Sequence, residues 1–157
     1  MGKSIRTILA ALLLIFAAVT EAADDFLADE DVTSALDRAP AGVFYAWSPH
    51  MPLSVDGLHE ILQVGDQLGI EVIPVLSSHA NMNYARDRIE GRDLPDSVLR
   101  QGKSKILVEN NLFVHAPAIL IFAGGEFISP VIPGFRYADD YQELIGRFLA
   151  QANQESP

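Results

Sequence analysis

Val43-Phe44-Tyr45-Ala46-Trp47-Ser48-Pro49-His50-Met51 is the stretch whose reading decides the fold. The apolar residues that follow Gly42, Val43 to Trp47, read as a central buried strand. The next four residues read as a turn. From Ser54 to Leu68 the apolar positions Val55, Leu58, Ile61, Leu62, Val64 and Leu68 recur at helical spacing, and Gly69 closes the segment as a cap. A second strand is expected over Ile70 to Leu76, where Pro74 removes a ladder hydrogen bond and calls for an edge or a bulge.

Working outward, residues 24–38 carry Phe26, Leu27, Val32, Ala35 and Leu36 among acids, which predicts a short amphipathic helix ending before Pro40. Residues 81–101 are charged and sparsely apolar, and Pro95 divides them into two short helices or a helix and a loop. Ala118 to Ala123 and Phe127 to Ile132 flank Gly124-Gly125-Glu126 and predict an antiparallel hairpin. Tyr141, Leu144, Ile145, Phe148 and Leu149 give the segment from Tyr137 to Ala150 the pattern of a closing amphipathic helix.

Strand, turn and helix, with the run His115-Ala116-Pro117-Ala118-Ile119-Leu120-Ile121-Phe122-Ala123-Gly124-Gly125-Glu126 downstream, resemble the thioredoxin-like periplasmic thiol-disulfide oxidoreductases. Their motif is an aromatic-rich strand followed by Cys-Pro-His-Cys or a relative. Here Ser48 and Met51 stand where the cysteines would, around Pro49 and His50. The resemblance implies an α/β thioredoxin-like fold, a central mixed sheet flanked by helices, with a helical insertion between the second strand and the hairpin. It implies a cis-proline at Pro117. It also implies a groove in which an extended segment lies against Trp47, the Ser48-Pro49-His50-Met51 turn and the Ala116-Pro117 backbone.

The first 22 residues read as a secretory signal: Lys3 and Arg6, an apolar run from Ile8 to Val19, then Thr20-Glu21-Ala22. An uncleaved anchor is the alternative. Residues 23–157 are then one domain, periplasmic or secreted. Without the leader, nine basic and twenty acidic residues remain, a net charge of about −11. Such a field opposes phosphate backbones and anionic lipid, so nucleic acid is not an expected partner. The sequence contains no cysteine. Thiol-disulfide exchange, disulfide staples and cysteine-ligated clusters all need a thiolate, so none is open to this chain.

Of four histidines, His50, His79 and His115 fall at one expected end of the sheet, with Met51 and Met82 close to two of them in sequence. Imidazole and thioether together suit copper, which makes these five residues an alternative metal site. The ordinary reading is that Pro49-His50 belongs to the motif and that the methionines fill gaps. His59 reads as a surface residue. Ser48 is expected to cap the following helix rather than serve as a nucleophile, since no acid is placed to orient His50. Six basic residues between Arg86 and Lys105, interleaved with Asp87, Glu90, Asp93 and Asp96, read as a self-paired solvated face. The expectation is therefore a redox-inactive, non-enzymatic exported domain that binds an envelope protein or peptide, without a cofactor. Copper handling is the alternative.

Overall fold

A computed structural model describes residues 25–155. The leader assigned to residues 1–22 lies outside them. In chain order the elements are β1 (Phe26–Leu27), α1 (Asp29–Arg38), β2 (Ala41–Trp47), α2 (Pro52–Leu68), β3 (Glu71–Leu76), α3 (Met82–Ile89), a 3-10 turn (Asp96–Leu99), β4 (Gln101–Gly102), α4 (Lys105–Glu109), β5 (Ala118–Ala123), β6 (Glu126–Phe127), β7 (Ile132–Pro133) and α5 (Ala138–Glu155). The strands join in one sheet ordered β1-β4-β3-β2-β5-β6, with β7 also on β5. β2 runs parallel to β3 and antiparallel to β5, so the sheet is mixed, as expected.

β2 is covered on both faces. Val43, Tyr45 and Trp47 enter one core with Val55, Leu58, Ile61 and Val64 of α2 and Tyr141 and Ile145 of α5. Phe44 and Ala46 enter the other, with Val32 and Ala35 of α1, Leu107 of α4 and Leu120 and Phe122 of β5. Neighbours on a strand point to opposite faces, so a strand sandwiched by helices must be apolar at consecutive positions. α2 comes this close to β2 because Gly57 has no side chain: a Cβ there would stand 2.1 Å from the Tyr45 hydroxyl oxygen.

Several elements differ from the sequence reading. Phe26 and Leu27 leave the expected first helix and pair with Gln101 and Gly102 as an edge strand, and α1 starts at Asp29. Asp29 then ties α1 to the insertion: its carboxylate accepts from the Ser104 hydroxyl at 2.6 Å and the Ile106 N–H at 3.1 Å, and these bonds hold it below the usual carboxylate range. Pro74 does sit in a strand, opposite Tyr45. β4 reaches β3 only at Leu76, so at Pro74 that side of β3 is an edge and the missing N–H is tolerated. The hairpin's return strand is broken into β6 and β7. Between them the Ser129 hydroxyl accepts from the Ile121 N–H at 3.0 Å, and Pro130 and Pro133 supply no ladder donors. Two residues of the basic stretch pair outside it: Arg92 with Asp56 of α2 and Arg100 with Asp31 of α1.

Tyr45 and Tyr141 meet edge to face, 6.5 Å between ring centroids. Burial pushes the Tyr45 phenol above the ordinary tyrosine range and pushes Tyr141 up to about 12. An unfolded tyrosine titrates at about 10, so above that pH the unfolded chain gives up protons that the folded chain keeps. This contribution is intact below about pH 10 and is lost as pH rises toward 12. Urea midpoints measured across the alkaline range are expected to fall above about pH 10. In Tyr141→Phe the fall should be shallower.

Candidate functional site

The turn after β2 is held by one hydroxyl that its own sequence does not contain. Ser54, fully buried in the first turns of α2, accepts from the Ser48 N–H at 2.9 Å, and its oxygen lies 2.7 Å from the Ser48 carbonyl and 2.8 Å from the Met51 carbonyl. A hydroxyl has one proton and two acceptor lone pairs, so the two carbonyls share a single donor. Below it the Tyr45 hydroxyl donates to the Ser54 carbonyl at 2.9 Å. Strand, turn and helix are thus clamped together without sulfur.

Ser48 does not cap the helix. α2 begins later, with Met51 as N-cap and Pro52 in the first position, where a missing N–H costs nothing. The Ser48 hydroxyl instead accepts from the His50 N–H at 3.4 Å, inside the turn. The side chain whose oxygen organises the helix entrance is Ser54. A serine in an otherwise apolar helical stripe was the available signal.

Across the sheet, Ala46 pairs with Ala118. Continuing that antiparallel register sets Trp47 opposite Pro117 and Ser48 opposite Ala116. The Ala116–Pro117 bond is cis. The Pro117 carbonyl accepts from the Gly134 N–H at 2.8 Å, and the Gly134 carbonyl accepts from the Tyr141 hydroxyl at 3.2 Å and from Arg136 at 3.1 Å. Gly134 has φ +99, a conformation open to glycine. Among the described residues, the backbone N–H and C=O of Ala116 have no hydrogen-bond partner.

Trp47 is not part of any exposed surface. Its ring is fully buried and its Nε1–H donates to the Val98 carbonyl at 2.7 Å, because the insertion folds over the end of β2. Pro49 is buried as well, whereas His50 and Met51 face solvent. The His50 ring stacks on Tyr84 of α3 with centroids 4.9 Å apart. His79 follows β3 and is exposed, in a turn whose Ala80 carbonyl accepts from the Gln101 side chain at 2.7 Å. His115 precedes the cis bond and is exposed, as is His59 on α2.

The three edge histidines occupy three separate loops. Among the described residues no group of three or more His, Cys, Asp or Glu is placed to hold a metal ion, so the expected meeting of His50, His79 and His115 does not produce an imidazole cluster. Met82 packs against the core rather than toward them.

What the edge does present is apolar. Met51 is 49% exposed, Leu53 56% and Val114 62%, with Tyr84 beside His50. Sequence reasoning missed Leu53, Tyr84 and Val114. Next to Val114, a depression of about 580 Å³ opens between the loop before β5 and the loop before β7, lined by His115, Leu120, Val131 and Pro133. Leu120 is its apolar floor.

Neither the protein-family models nor the curated protein sequences give a match to this chain. Solved structures do. A thiol:disulfide interchange protein of the thioredoxin family from Chlorobium tepidum superposes with TM-score 0.54 at 12% identity, over 69% of this chain and 79% of that one. MTB dsbF, solved in mixed oxidized and reduced forms, gives 0.52 at 12% identity, over 69% and 80%. The reduced N-terminal domain of PilB from N. meningitidis gives 0.50 at 13% identity, over 68% and 79%. The fold is thioredoxin-like. The cysteines that the resemblance calls for are absent from this sequence.

Removing the Ser54 hydroxyl leaves the Ser48 N–H without its acceptor, while the Ser48 carbonyl keeps the Met51 N–H and the Met51 carbonyl keeps the Ser54 and Val55 N–H groups; the unmet donor costs about 1–3 kcal/mol. Ser54→Ala should lower the urea midpoint accordingly. Amide exchange should quicken at Ser48 more than in α5, and equal exchange at both would show that the hydroxyl does not hold the turn.

Proposed function

We propose that this chain is an exported, redox-inactive thioredoxin-like domain that binds an extended peptide or protein segment at the edge formed by the Ser48 to Met51 turn and the Ala116-Pro117 backbone. The observation that carries the reading is the pairing at this edge of a rigid frame with an open surface. Ser54, Tyr45, Tyr141 and Gly134 satisfy the frame internally, while among the described residues Ala116 keeps an unused N–H and C=O two residues after exposed Val114, and exposed Met51 and Leu53 stand at the start of α2, after the strand end that Ala116 faces.

An extended segment needs both of those things. Backbone hydrogen bonds to a residue such as Ala116 fix its direction, and apolar pockets for alternate side chains select it. The depression floored by Leu120 suits one such side chain. Because the frame is already ordered, binding does not bear the entropy of assembling it. No step of this mode uses a thiolate. The role is that of a chaperone or assembly module acting on envelope proteins, and Trp47, anchored to Val98, stands behind the surface rather than on it.

Selection of the purified protein against a random extended-heptapeptide library is expected to enrich apolar sequences. Met51→Asp and Val114→Asp, each of which puts a charge on the apolar rim, should weaken the selected peptide about tenfold, close to 1.4 kcal/mol. Asp66→Ala, on an exposed part of α2 away from the edge, should leave affinity unchanged. The protein should not accelerate reduction of insulin by dithiothreitol. Selected peptides that bind both rim variants as tightly as the parent would place the interaction elsewhere.

A further inference from the structure

Met51 occupies a position at which sulfur chemistry and the open edge coincide. The chain has no cysteine, so thioethers are its only oxidisable sulfurs. Of the two methionines among the described residues, Met82 packs against the core and Met51 is 49% exposed. Oxidation follows exposure, and it converts a flexible apolar side chain into a polar one.

The surroundings of Met51 give that conversion somewhere to act. No side chain caps α2, and Pro52 brings no N–H. Among the described residues the Leu53 N–H has no acceptor. A sulfoxide oxygen on the N-cap residue is a strong acceptor beside a helix end that lacks one. Oxidation replaces an exposed apolar side chain by a polar one beside exposed Leu53 at the start of α2.

We infer that Met51 is a modification site whose oxidation by a hydroperoxide closes the peptide edge, a reversible switch built without cysteine. The inference rests on the peptide-binding reading above. In the step, a lone pair of the Met51 thioether attacks the terminal peroxide oxygen. An S–O bond forms as the O–O bond breaks, the sulfur is oxidised to the sulfoxide, and the departing oxygen takes the transferred hydroxyl's proton and leaves as water from hydrogen peroxide or as the alcohol from an alkyl hydroperoxide. Return to the thioether requires a sulfoxide-reducing enzyme.

The test uses the purified protein, hydrogen peroxide and the heptapeptide selected against untreated protein. Peptide mass analysis over time should show oxygen added at Met51 on the order of tenfold faster than at Met82. Affinity should fall about tenfold in step with Met51 oxidation and return after treatment with methionine sulfoxide reductase. Met82→Leu should bind normally and keep the sensitivity. Whatever affinity Met51→Leu begins with, peroxide should leave it unaltered. Comparable oxidation rates at the two methionines, or an equal loss of binding in Met51→Leu, would overturn the switch. Untreated protein that binds no heptapeptide would overturn the binding reading and the switch with it, whereas binding that survives complete oxidation of Met51 would overturn the switch alone.

Discussion

The Ser54 hydroxyl is the contact on which the rest of the site depends. It satisfies the Ser48 N–H, which would otherwise lie unpaired at the exit of a buried strand, and bridges toward the Ser48 and Met51 carbonyls, which also accept backbone N–H groups of the turn and of α2. Leaving such a donor unmet is more costly than the bond itself is favourable, so the clamp defines one conformation rather than merely favouring it. From it the order passes in two directions. Tyr45 carries it down into the core shared by α2 and α5, and the Gly134 segment carries it across to the cis bond through Tyr141.

A thioredoxin-like frame is ordinarily described around its cysteines, yet this chain shows that the frame stands without them. The apolar sandwich around β2, the close approach at Gly57 and the hydrogen-bonded turn are all independent of sulfur. What the cysteines would have added is reactivity. Their replacement by Ser48, whose hydroxyl is turned to a local N–H, and Met51, whose thioether faces water, leaves an edge defined by shape, backbone polarity and apolar surface.

The order of the elements was readable because burial on both faces leaves a plain mark: consecutive apolar residues in β2 and β5, helical spacing in α2 and α5, glycine at the ends. Two-residue strands leave no such mark. β1 and β4 are defined by their pairing with each other, and nothing in Phe26-Leu27 or Gln101-Gly102 alone announces it. The site was partly readable for a related reason. The motif located the turn and the proline, but Trp47 was expected on the surface because its cover, the insertion around Val98, lies far along the chain. Ser54 was hidden within a helical stripe, and the exposure of Leu53 and Val114 is set by which helices fail to cover them. Those are tertiary facts, and local pattern does not encode them.

The burial of Trp47 has a practical side. It is the chain's single tryptophan, and its indole donates to the Val98 carbonyl just ahead of β4, so one chromophore sits at the seam between the central sheet and the insertion. Intrinsic fluorescence is therefore a site-specific report and not an average over the molecule. Separation of the insertion from β2 would wet the indole and shift its emission while the far side of the sheet, where Phe44 and Phe122 pack, stayed spectroscopically silent. The molecule carries its own gauge of whether the segment that encloses the back of the edge is seated.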